Sequence, residues 1–266
     1  MTLRFARFVT AAAAALAALV LYVPAARAEV IKVGVENGPH AEIAEIAKKA
    51  LAKQGIELKI FEFSDYTRPN PALDTGDLDV NSFQHQPYLD QQVKDRGYKI
   101  VSVAKTVVFP IGVYSKKLKS LDQLPQGGKI AIPNDPTNGG RGLLLLQAKG
   151  VLKLRPGTGI TPTVADIAEN PKKVKIVEVD AAQVPHFLPD VDAAIINTNY
   201  AIQGKLDPAK DAIARESADS PYVNVIAVRK ADADKPWVKK LVAAWHSEEV
   251  RSYVNSKYAG VVVAGF

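Results

Sequence analysis

Apolar positions along this chain alternate between a two-residue and a three-to-four-residue rhythm. Residues 30–35 form a compact β-rich run, followed by the turn Glu36-Asn37-Gly38-Pro39-His40. Ile43, Ile46, Ala47, Ala50 and Leu51 then recur on one helical face, with Lys48, Lys49 and Lys53 outside it, which predicts a helix over 41–53. A strand over 57–63 completes a βαβ unit, with parallel strands and a right-handed crossover expected. Next come a short helix around 70–75, a strand at 78–83, a helix at 88–96 led by Pro87, and strands at 100–108 and 111–115 separated by Phe109-Pro110. The rhythm restarts at Lys129 with strand, polar turn and helix. A helix around 163–169, strands at 174–179, 193–196 and 224–228, and a closing helix over 235–257 are expected after it. Val238, Leu241, Val242, Trp245, Val250 and Val254 form the inner face of that last helix.

Two such halves with crossings at Phe109-Pro110 and near Asn224 predict an α/β protein of two lobes, with a ligand cleft at the carboxyl ends of the strands. The expected division is 1–28 as a leader, 29–109 plus 226–266 as the first lobe, and 110–225 as the second.

Composition narrows the classes. Arg4 and Arg7 precede an alanine- and leucine-rich run over 8–23, and Ala26-Arg27-Ala28 is a small-x-small cleavage site, the layout of a secretory signal peptide cut after Ala28. Its apolar core is short for a membrane span and stops at Pro24. Three of the 34 basic residues lie in this leader, so the remainder carries 31 against 28 acids, a net +3. That mild excess, with no basic block interleaved with aromatics, argues against nucleic acid as a partner. There is no cysteine, which removes disulfides, thiol catalysis, cysteine zinc sites and lipid attachment through cysteine. The expected location is the periplasm, without a lipid anchor.

The stretch KIAIPNDPTNGGRGLLLLQ, residues 129–147, carries the candidate chemistry. Asn134, Asp135, Thr137 and Asn138 are turn and capping residues, Gly139 and Gly140 permit close backbone approach, and Arg141 is expected in the first helical turn, where its planar guanidinium and the helix dipole both favour a carboxylate. An arginine there can equally pair with a surface acid. Polar residues recur at other predicted strand ends: Tyr66, Phe83 and His85, then Asn197 and Asn199, spaced two apart as on one strand face, and Asn224. Amide oxygens of the three asparagines could accept from an ammonium group, so that with Arg141 they suit an α-amino acid. Tyr66, Phe83 and His85 supply flat walls, although Tyr66, Phe83 and Tyr88 could instead be core aromatics. His85 could be a satisfied histidine, a metal ligand near Asp90, or the base of an enzyme acting on an amino-acid derivative, and His40 could touch a ligand or cap a helix. No second histidine stands at ligand spacing, and no nucleophile elbow, Walker loop, HExxH or dinucleotide fingerprint is present, so neither metal, cofactor nor catalysis is expected.

Six ordered blocks, FSDYTRPNPAL, FQHQPYL, IAIPNDPTNGGRGLLLLQ, VEVDAAQVP, DAAIINTNYA and DSPYVNVI, resemble the methionine-binding lipoprotein family, the substrate-binding proteins of methionine ABC importers. The resemblance runs from about Ile31 to the C-terminus. It implies a type II periplasmic-binding-protein fold, methionine or a methionine-containing dipeptide as ligand, and a permease and ATPase as partners of a monomeric receptor. It also implies that Tyr66, Phe83 and His85 form the walls, Arg141 the carboxylate clamp, and Asn197, Asn199 and Asn224 the amide partners. Many relatives carry a lipidated cysteine that this chain lacks.

Overall fold

The computed structural model describes residues 28–266, so all of the expected leader except Ala28 lies outside the described residues. Glu29–Glu36 (β1) runs into Pro39–Ala52 (α1), with Gly38 at a positive φ of 78° making the turn and Pro39 in the first helical turn. Ile56–Phe63 (β2) pairs parallel with β1 along its whole length. Pro69–Thr75 (α2), Val80–Asn81 (β3), Gln86–Arg96 (α3) and Ile100–Val108 (β4) follow. Gly112–Tyr114 (β5), Lys129–Pro133 (β6), Pro136–Ala148 (α4), Lys153–Leu154 (β7), Ile167–Glu169 (β8), Lys175–Val179 (β9), Ala193–Ile196 (β10), Thr198–Gln203 (α5) and Ala212–Arg215 (β11) make the middle of the chain. Val223–Arg229 (β12), Pro236–Trp245 (α6), Glu248–Lys257 (α7) and Val263–Ala264 (β13) close it.

One sheet has the order β13-β4-β12-β3-β1-β2 and a second the order β11-β5-β10-β6-β9. The first is covered by α1, α6 and α7: Ala44, Ala47 and Leu51 pack with Val33, Val35, Trp237, Leu241 and Trp245 in one buried cluster. The second buries Ile130, Ile132 and Ile195 against Leu143 and Leu146 of α4. The chain crosses between sheets twice, from Val108 to Gly112 and from Arg215 to Val223. The crossings are tied together where the Glu216 amide donates to the Ile111 carbonyl at 3.0 Å.

Several expectations change. The return crossing was expected at Asn224, but β12 begins at Val223 and belongs to the first sheet throughout, so the connection is residues 216–222 and the expected boundary at 225/226 falls inside a strand. The closing helix is two helices: Trp245 ends α6, and the Ser247 hydroxyl accepts from the Val250 amide to cap α7. Residues 163–169 are a short 3-10 turn leading into β8 rather than a helix. Asn197 and Asn199 are not strand neighbours, because β10 stops at Ile196 and α5 starts at Thr198.

Candidate functional site

The parallel strands of each sheet send their carboxyl ends toward the other sheet, and a cavity lies between them. It is lined from the first sheet's side by Tyr66, Phe83, His85 and Asn224, and from the second by Arg141, Asn197 and Asn199. All seven residues read from the sequence therefore meet in one place.

Arg141 is 3% exposed and lies in the second turn of α4, one turn beyond the expected position. The Asp135 side chain, not an outside anion, caps the first turn by accepting from the Asn138 amide at 2.9 Å. The helix end is thus already occupied, and the guanidinium is the cationic group lining the cavity. Its Nε donates to both Glu216 oxygens at 3.1 and 3.2 Å, its Nη2 donates to Glu216 and, at 2.9 Å, to the Phe109 carbonyl, and its face lies 4.2 Å from the centre of the Tyr222 ring. Nη1 has no protein partner among the described residues. Phe109 and Glu216 sit on the two crossing segments, so the hinge itself orients the cation.

The amides are oriented just as closely. His85 Nδ1 accepts from the Tyr88 amide at 3.1 Å, which puts the proton on Nε2, facing Asn138 Oδ1 at 3.2 Å. Asn138 Oδ1 also accepts from Asn197 Nδ2 at 2.7 Å, and Asn138 Nδ2 is committed to Asp135 at 2.9 Å. This chain of bonds leaves Asn197 Oδ1 as a buried acceptor without a partner. Asn224 Nδ2 meets His40 Nε2 at 2.9 Å. Asn199 Oδ1 accepts from the Tyr66 hydroxyl at 2.6 Å and keeps a second lone pair, while its Nδ2, buried, has no partner among the described residues.

The profile of the family described as NlpA lipoprotein matches residues 31–266. The chain belongs to the NlpA lipoprotein family. Among the relatives of this NlpA-family chain is the D-methionine-binding lipoprotein MetQ of Salmonella typhimurium, 54% identical over 239 residues that cover 89% of this chain and 88% of the relative. The protein of the same name from Escherichia coli K12 is 52% identical with the same coverage. A nutrient-binding protein from Burkholderia cenocepacia, solved bound to methionine, is 60% identical with a TM-score of 0.87, over 89% of this chain and 100% of that one. A periplasmic substrate-binding protein of an ABC transporter from Coxiella burnetii is 48% identical with a TM-score of 0.85, over 88% and 100%. The fold is thus the two-lobed α/β fold of periplasmic substrate-binding proteins, its cleft between the lobes.

In this NlpA-family site the aromatic wall is a cluster. The Tyr66 ring centre lies 6.0 Å from those of Phe83 and Tyr88 and 4.7 Å from that of Tyr200. The Tyr88 hydroxyl donates to the Tyr66 carbonyl at 3.1 Å, so Tyr88 is both core and lining. Burial, reinforced by Arg141, holds the His85 pKa down at about 3, and burial alone does the same for His40. Both rings are neutral at physiological pH. His40 does not cap α1; it lines the cavity.

Other contributors were not singled out from sequence. Gln84, Asn70 and Asn81 form a closed carboxamide network, with Asn70 and Gln84 exchanging bonds of 2.7 Å in both directions, that fixes the backbone between Phe83 and His85. The Phe109 ring packs at a tilt against His40, their centres 4.5 Å apart. Glu216 gave no signal because an acid in a polar stretch reads as surface; only its pairing with Arg141 marks it.

Proposed function

We propose that this chain is a periplasmic receptor that closes its two lobes over methionine and delivers it to the permease and ATPase of an ABC importer. The lobes are the two sheet units, residues 29–109 with the segment from β12 onward, and the residues between. One observation carries the reading: an aromatic-walled cavity between the lobes keeps a guanidinium Nη1 and the Asn197 oxygen free of partners among the described residues, a cation donor and a neutral acceptor for the two ends of a zwitterion. Arg141 takes the ligand carboxylate, Asn197 and Asn224 take the ammonium, and Asn199 Nδ2 adds a donor to the carboxylate side. Both ligand charges are then paired, as their burial demands. Tyr66, Phe83 and His85 receive the side chain, and a thioether packs well on such rings. The relatives named for methionine support this choice of ligand.

The role proposed is binding without catalysis, which the commitment of both His85 nitrogens to protein partners supports. The receptor is proposed to act as a monomer, exported by the cleavable leader. Although relatives are named lipoproteins, the absence of cysteine supports a protein that carries no cysteine-linked lipid. Metabolic labelling with palmitate in the native host, giving an unlabelled band, is the expected result.

Isothermal titration with L-methionine, D-methionine, leucine and glycyl-methionine, on protein stripped by unfolding and refolding, tests the function. Saturable one-site heat with a methionine enantiomer is expected, and silence with all four ligands would reject the assignment.

A further inference from the structure

Glu36 ends β1 at the edge facing the second lobe and is completely buried. Neither carboxyl oxygen has a hydrogen-bond partner among the described residues. Helix α5 of the second lobe lies over this strand end: Gln203 Nε2 donates to the Asn37 carbonyl at 3.0 Å, Asn199 accepts from Tyr66, and the Tyr200 ring packs on that of Tyr66. The buried Tyr200 hydroxyl lies beside Glu36, outside good hydrogen-bond geometry but near enough to favour the charged carboxylate weakly. The charged groups acting on Glu36 are Asp65, in the turn after β2, and Asp180, just after β9 of the second lobe. Both are acids, no basic side chain among the described residues acts on it, and the remaining titratable groups that feel it, Tyr66 and Tyr88, are neutral phenols. An ionised, unpartnered carboxylate in such a place is strongly disfavoured, whereas the neutral acid is tolerated.

We propose that Glu36 couples closure over the ligand to the uptake of one proton: its carboxylate is hydrated and ionised when the lobes stand apart, and takes a proton from solvent to become a neutral carboxylic acid when α5 covers it. The inference rests on the receptor reading, since opening and closing are what give Glu36 two environments. Burial, with repulsion from Asp65 and Asp180 and only partly offset by the Tyr200 hydroxyl, pushes the covered carboxyl up to about 8 against an ordinary 4.5. The closed form binds the extra proton, so the Glu36 contribution to ligand affinity grows as pH falls from about 8 and fades as pH rises, approaching about tenfold per pH unit, and it dominates above about pH 6.5. His40 and His85, depressed to about 3, work in the opposite direction but only near and below the ordinary histidine value of 6.5.

The test is therefore made at pH 7.5, by titrating L- and D-methionine into wild type and E36Q in buffers of different ionisation enthalpy. Wild type is expected to take up about three quarters of a proton per ligand more than E36Q, and the affinity of E36Q is expected to be flat from pH 7 to 8.5. Equal uptake in the two proteins overturns the role of Glu36 while leaving the receptor standing; no methionine heat in wild type overturns the receptor reading itself. If E36Q does not fold, infrared difference spectroscopy of wild type with ¹³C-labelled glutamate decides. A protonated-carboxyl band that appears on methionine addition and shifts with the label supports the proposal, and its absence overturns it.

Discussion

Arg141 and Glu216 work as one unit, a bidentate ion pair between α4 and the second crossing segment. Arg141→Ala removes a charge-assisted bond to the ligand carboxylate and is expected to weaken methionine binding by about 1.5 to 3 kcal/mol, roughly 10- to 150-fold in Kd by titration calorimetry. Glu216→Ala leaves the buried guanidinium without its bidentate partner. It is expected to lower unfolding stability by about 2 to 3 kcal/mol in urea denaturation, the usual cost being reduced because the Glu216 side chain keeps some access to water, at 15% exposure. An unchanged urea midpoint would show that the pair does not hold the hinge. The free Nδ2 of Asn199 is not legible in the sequence. Which end of an amide is free depends on what the other end bonds, and Tyr66 lies 133 residues away in the chain.

At the scale of the element, local pattern was a good guide where a helix or strand had one buried face and a clear start. Pro39, Pro87 and Asp135 open their helices as their chemistry requires. It failed where two elements share one pattern, as in α6 and α7, whose apolar faces continue through the break at His246 and Ser247. Ser247→Ala removes the cap of α7 and is expected to cost about 1 kcal/mol, measured by thermal unfolding. Gly140→Ala is the harsher change. A Cβ there would come within 2.8 Å of the Thr161 Cα and 3.0 Å of Pro162 Cδ, groups that cannot swing aside, so a loss of about 1 to 3 kcal/mol and weaker methionine binding are expected. Wild-type stability in G140A would refute the packing account.

For the whole molecule, three buried titratable groups set the pH response. His40 and His85 have pKa values depressed by burial, so their contribution to stability is full above about 6.5 and is lost as pH falls toward 3. Glu36 has a raised pKa, so its contribution is full below 4.5 and is lost as pH rises through 8. Stability of the closed form is expected to peak near pH 6.5 and to fall by about 1 kcal/mol per pH unit on either side, as urea midpoints from pH 5 to 8.5 would reveal. Methionine at a hundredfold excess over Kd should add about 2.7 kcal/mol, raising Tm by roughly 5 to 10 °C.

The chain alone determined the α/β class, the approximate strand and helix order, and the residue types that converge, because periodicity and turn chemistry are local properties. Only the folded chain decided where β12 returns, which amide atoms remain free, that Glu216 holds Arg141, and that Glu36 is sealed without a partner. Those outcomes depend on which distant groups consume each hydrogen-bonding atom and exclude water from it, and no spacing along one segment encodes that.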